Sequence, residues 1–235
     1  LFAHVPNILT GLRLVLSAVF FGMLSWYQYE GRGDPWLLNI AFMVYVVALS
    51  TDFFDGHLAR KWKVEGAFGR IVDPFVDKIL VLGSFIFFAG KNFIIPETPI
   101  DPENTARFVS HTITGVTPAM VVLLLARELL ITSLRGNSEG SGQNFGAAFS
   151  GKLKMVFQSV TILVILIYVN NYDALRDYVV ARYLRDFCIW ATIIITMVSG
   201  LLYIQRAVSL YRKPSPTITL KPEALAPDLL RKESA

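Results

Sequence analysis

The sequence predicts an all-α integral membrane protein with six transmembrane helices, and three observations carry that expectation. Of its 235 residues, 54% are hydrophobic, and the mean hydropathy of +0.50 is too high for an ordinary soluble domain. Six mostly apolar stretches fall at 8–27, 36–58, 71–90, 113–134, 153–170 and 184–208, each near the roughly twenty residues that a helix needs to cross a bilayer. Most basic residues flank these stretches, although Arg127 lies inside the fourth.

The first stretch follows Pro6-Asn7 with no A-x-A-like site behind it, so no cleavable signal peptide is expected. Residues 1–10 read as a segment lying along the membrane surface before the chain enters it. Pro35 and Trp36 suit a helix start at the interface. The second, third and fourth stretches carry ionisable residues toward one end.

Arg60, Lys61, Lys63 and Arg70 follow the second stretch, Arg135, Lys152 and Lys154 follow the fourth, with Arg127 inside it, and Arg206, Arg212 and Lys213 lie at and beyond the end of the sixth. By the positive-inside rule these segments are cytoplasmic. The segment 91–112, with three prolines and only Lys91 and Arg107, reads as the outer side, while Arg176 and Arg182 in 171–183 run against the rule. An even number of spans then puts both termini inside. The expected organisation is a membrane catalytic domain over 1–213 and a polar, Pro-containing tail over 214–235.

The net charge of +4 is modest, and the basic residues flank apolar helices, so nucleic-acid binding is not expected. Cys188 is the single cysteine, which excludes an intramolecular disulfide.

The most informative stretch is 50–78, which places Asp52, Asp55, Asp73 and Asp77 at the edge of apolar sequence. Carboxylates at membrane depth are costly unless they face a cavity, a cation or a partner. Asp52 and Asp55 are three apart and share a helix face, with Gly56 and Ala59 on the same side. Gly69, Asp73 and Asp77 repeat at intervals of four, again one face. Two such helices would offer oxygen ligands alone, which suits Mg²⁺ or Mn²⁺. The scattered His4, His57 and His111 and the lone Cys188 make no zinc site. Any one aspartate reads equally well as a helix cap or a solvated edge residue. Four on matched faces do not.

The motif D-x2-D-G-x2-A-R-x8-G-x3-D-x3-D runs through Asp52, Asp55, Gly56, Ala59, Arg60, Gly69, Asp73 and Asp77. It resembles the signature of the CDP-alcohol phosphotransferases at every fixed position. The likeness extends over about residues 5–208, and a six-span bundle fits the family. The segments P-N-I-L-T-G-L-R (6–13), A-R-E-L-L-I-T-S-L-R (126–135) and S-G-K-L-K-M-V-F-Q (150–158), with D-P-F-V-D-K around Asp73, are similar to the branch that makes phosphatidylglycerophosphate. The Gly-, Ser- and Asn-rich 136–149 and the Pro-rich tail depart from the usual pattern.

The resemblance implies transfer of a phosphatidyl group from CDP-diacylglycerol to sn-glycerol 3-phosphate, with release of CMP. It implies two divalent ions held by Asp52, Asp55, Asp73 and Asp77, with Asp77 also the general base. Asn7, Thr10, Gly56, Ala59, Arg60 and Gly69 would bind the donor, although Asn7 reads equally as an N-cap. A phosphorylated acceptor calls for a second basic cluster, and Arg127, Arg135, Lys152 and Lys154 fit it. Arg127 can instead serve a structural ion pair, although adjacent Glu128 lies about 100° away around a helix, and Lys154 can be a topology residue. Arg13 and Lys78 read as interfacial topology residues, and His57 as a rim residue. The family also implies a homodimer among membrane lipids, in a multi-pass arrangement (in the inner membrane if the source is bacterial) with the active site facing the cytoplasm.

Two alternatives remain open at this point. The same chemistry could serve serine or inositol phosphate as acceptor. A cation transporter could also use intramembrane carboxylates, although it has no need of the Gly-x2-Ala-Arg segment.

Overall fold

The computed structural model describes residues 5–29, 31, 33–62, 67–95, 112–140 and 149–211. Within its helices the side chains of 5–7, 52–62, 67–74, 77, 135, 137–140, 149–152, 206, 210 and 211 lie outside that description. The described chain is helical apart from turns and one isolated antiparallel bridge between Ile94 and Thr112. Its long helices are α1 Val5–Trp26, α2 Pro35–Trp62, α3 Ala67–Phe88, α4 Pro118–Gly140, α5 Phe149–Asn170 and α7 Val179–Tyr211, with the short α6 Tyr172–Leu175 between the last two.

Local chemistry sets the helix starts. The Asp34 carboxylate accepts the Trp36 N–H at 2.9 Å, and Pro35, the first residue of α2, has no N–H to satisfy. Thr117 caps α4 in the same manner: its hydroxyl oxygen accepts the Met120 N–H at 3.4 Å, just ahead of Pro118.

α1 packs on both α2 and α3, and α7 packs on both α4 and α5. Contacts of α2 with α5, and of α3 with α4 and α5, join these groups into one bundle. Phe20, Tyr45, Phe85, Phe88, Leu124 and Ile162 are buried where the groups meet. The outward faces are apolar too: Leu129, Phe187 and Ile194 are all more than half exposed. A surface of this kind is unfavourable in water and at home in lipid.

One end of the bundle is tied together by polar contacts. The Asn92 amide donates to the Leu24 and Ser25 carbonyls at 3.2 and 3.0 Å, which caps the end of α1. Thr114 donates to the Phe88 carbonyl at 2.7 Å and caps α3. Arg185 of α7 donates to the Ile113 carbonyl at 2.6 Å and lies over the Tyr168 ring at 4.6 Å. Gly115, at φ 74°, turns the chain beneath Arg185, where an added Cβ would lie 3.0 Å from Nε.

Among the described residues, three helical stretches are long and apolar enough to cross a membrane: Ile8–Trp26, Leu153–Asn170 and Val179–Ser209. Pro35–Thr51 and Lys78–Phe88 are shorter apolar stretches. α4 carries Arg127 and Glu128 near its middle. The structure alters two expectations. From Val5 onward the N-terminal segment is part of α1 and does not form a separate surface strip. Most of 171–183, read as a loop, is taken up by α6 and the early start of α7 at Val179.

Candidate active site

α2 is helical without a break through Asp52, Asp55, Gly56, Ala59 and Arg60, and α3 through Gly69, Asp73 and Asp77. The i to i+3 and i to i+4 registers used to group these residues therefore hold along the backbone. Their side chains, with those of Asn7, Arg135 and Lys152, lie outside the described residues. Asn7 is the third residue of α1, so the helix begins before it and the N-cap alternative does not apply. Thr10 is fully buried in α1.

The donor set fits a hard divalent cation. Asp52, Asp55, Asp73 and Asp77 provide only oxygen, on helices separated in the chain by residues 63–66 alone.

Beside this motif the structure assembles a cluster that sequence spacing did not reveal. Glu128 of α4 is its centre. One carboxylate oxygen accepts Arg127 Nη1 at 2.9 Å and also Lys154 Nζ of α5, while the other faces Lys78 Nζ of α3 at 3.9 Å. Lys78 donates to the Thr132 hydroxyl at 2.6 Å, and that hydroxyl donates to the Glu128 carbonyl at 2.8 Å. Arg127 Nη2 donates to Ser199 of α7 at 2.8 Å. Four helices thus contribute to a single polar centre.

Arg127 and Lys154 are both buried here, so two of the expected acceptor residues do come together. Arg127 pairs with its own neighbour despite the angle between them on the helix. The long guanidinium arm curls along the helix surface far enough to span it. Gly200 makes room for that arm, since an added Cβ would lie 3.0 Å from Arg127 Cγ. Lys78, read as a topology residue, belongs to the cluster, and Arg13 is buried in the bundle. Sequence reasoning missed Glu128 as the hub. The signal was a lone carboxylate one place from a buried arginine in an apolar run.

Among the described residues, three cations against one carboxylate leave an excess of positive charge in this group. Buried cations in excess call for an anion. Arg127 Nε has no hydrogen-bond acceptor among the described residues.

The comparisons identify the class of protein to which this helical bundle belongs. The CDP-alcohol phosphatidyltransferase family matches residues 3–198, and the chain belongs to that family: it is a membrane protein and a transferase. Among its relatives is a CDP-diacylglycerol–glycerol-3-phosphate 3-phosphatidyltransferase of Cereibacter sphaeroides, 29% identical over 69% of this chain and 63% of that one. Proteins of the same name from Bacillus subtilis and Haemophilus influenzae are 24% and 27% identical. These matches cover 86% and 81% of this chain, and 94% and 90% of theirs.

Proposed function

We propose that the chain transfers the phosphatidyl group of CDP-diacylglycerol to sn-glycerol 3-phosphate, giving phosphatidylglycerophosphate and CMP. The observation that carries this reading is the juxtaposition of Lys78, Arg127 and Lys154 with the Asp52–Asp77 motif: Lys78 directly follows Asp77 in α3. A site for a phosphorylated acceptor thereby adjoins a site for a nucleotide-linked donor. The names of the relatives agree with this acceptor.

In this reading Asp77 takes the proton from the acceptor's primary hydroxyl as its oxygen forms a bond to the β-phosphorus. The bond from that phosphorus to the bridging oxygen breaks, and CMP leaves with the electron pair. Gly56 and Ala59 leave space for the cytidine diphosphate along α2, where Arg60 contacts its phosphates. Asn7, Thr10 and Gly69 border the same donor. Arg127, Lys154, Arg135 and Lys152 bind the acceptor's phosphate and orient its hydroxyl toward the reacting phosphorus. Asp52, Asp55, Asp73 and Asp77 would hold Mg²⁺ or Mn²⁺, two ions in all, which when bound would supply neutralisation of the phosphate charge.

The membrane arrangement that goes with this chemistry has six spans, α1–α5 and α7, with the motif at the cytoplasmic face. Residues 1–213 form the catalytic domain and 214–235 the tail, and two chains pair as a homodimer. The purified protein should release CMP from CDP-diacylglycerol only when glycerol 3-phosphate and Mg²⁺ or Mn²⁺ are present. Full release in excess chelator would remove the metal from the account. Release without incorporation of glycerol 3-phosphate into lipid would remove the acceptor.

A further inference from the structure

The role of Glu128 goes beyond the residues assigned so far. A carboxylate is an unexpected member of a site for an anion, since it repels the ligand that its neighbours attract. Its contacts explain its presence. One oxygen holds Arg127 and Lys154, the other faces Lys78, and the Glu128 carbonyl orients the Thr132 hydroxyl that receives Lys78. Without it, cations from three helices would repel one another at close range.

We propose that Glu128 is a positioning residue that gathers Lys78, Arg127 and Lys154 into one phosphate-binding group, and that Lys78 is a further binding residue for the acceptor's phosphate. The inference rests on the reading of this site as the seat of a phosphorylated acceptor. Lys78 couples the two halves of the site. It follows Asp77 on α3 and is anchored to Thr132 on α4, so it fixes how far the bound phosphate lies from the group that receives the hydroxyl proton. A dianionic phosphate monoester satisfies the excess positive charge, and a neutral alcohol does not. The site is thus selective for phosphorylated acceptors over free ones.

The two effects of removing Glu128 have opposite signs, and this makes the inference testable. If the carboxylate only offsets charge, Glu128→Gln exposes more positive potential and tightens anion binding. If it positions the cations, the same change weakens binding. The test measures inorganic phosphate binding to the full-length protein in detergent by calorimetry, alongside KM for glycerol 3-phosphate and for CDP-diacylglycerol.

Glu128→Gln and Lys78→Met should each weaken phosphate binding about tenfold or more, as expected for loss of a charged partner. They should raise KM for glycerol 3-phosphate in parallel and leave KM for the donor near its original value. Lys78→Arg should restore most of the loss. Tighter phosphate binding by Glu128→Gln, or unchanged binding by Lys78→Met, would overturn the inference. If Glu128→Gln fails to fold, the Lys78→Met and Lys78→Arg pair decides. Unaltered protein that binds phosphate but does not use glycerol 3-phosphate would refute the proposed acceptor and leave the phosphate group standing.

Discussion

Asp77 and Asp52 have different tasks in the proposed chemistry, and near-isosteric changes separate them. Asp77→Asn retains an oxygen and the volume of the side chain but loses the basicity needed to accept a proton. It should still bind CDP-diacylglycerol while turnover falls by about 10²–10⁴. Asp52→Asn should weaken donor binding and metal binding together, because Asp52 shares its helix face with Gly56 and Ala59, the proposed donor contacts. Donor titration and single-turnover rates on both variants distinguish the roles, and near-normal turnover in Asp77→Asn would exclude it as the base. At this scale the sequence was informative about the aspartates, because short-range spacing in a helix is enough to group them. It was uninformative about Glu128 and Lys78. Their partnership crosses α3, α4 and α5, and treating side chains as rigid spokes of a helical wheel separates Arg127 from the neighbour it binds. Arg185 was invisible for a related reason: the Ile113 carbonyl and the Tyr168 ring are distant in the chain.

The helices are held in register by close approaches of small residues, and Gly83 is the sharpest of them. A Cβ there would lie 2.3 Å from Phe21 Cζ of α1, whose ring stacks on Phe87 at 5.4 Å. Gly83→Ala must displace Phe21 and should lower stability by about 1–3 kcal/mol. Gly22→Ala in α1, where no atom lies within 4 Å of the added carbon, should be neutral or stabilising by a few tenths to about 1 kcal/mol, since alanine favours the helix. Melting temperatures of the two variants in the same detergent check the contrast, and equal shifts would show that the α1–α3 contact does not govern stability. Helix existence was legible in the sequence because each apolar run is long and bounded by charge or by Pro35. The starts were legible only in part, because the Asp34 and Thr117 caps depend on single side chains.

Across the whole molecule, polarity is distributed by end. The Asn92, Thr114 and Arg185 contacts lie where α1 and α3 finish and α4 and α7 begin, whereas the aspartate motif and the Glu128 cluster lie toward the opposite end of the bundle. The two ends should therefore face opposite sides of the membrane. In a Cys188→Ser background, a cysteine at Gly136 should be labelled from the cytoplasmic side by an impermeant thiol reagent, and one at Gly31 from the outer side. Labelling of both from one side would contradict the six-span arrangement.

The central claim is that this membrane bundle joins a nucleotide-linked lipid to a phosphorylated acceptor, and parallel acceptor competition tests it most directly. Purified protein with CDP-diacylglycerol and Mg²⁺ would be offered labelled glycerol 3-phosphate, inositol phosphate and serine together, and the lipid products identified. The account predicts that label from glycerol 3-phosphate dominates and that serine is not used. Predominant incorporation of serine would contradict it, because a phosphate-free acceptor has no use for the cations that Glu128 gathers.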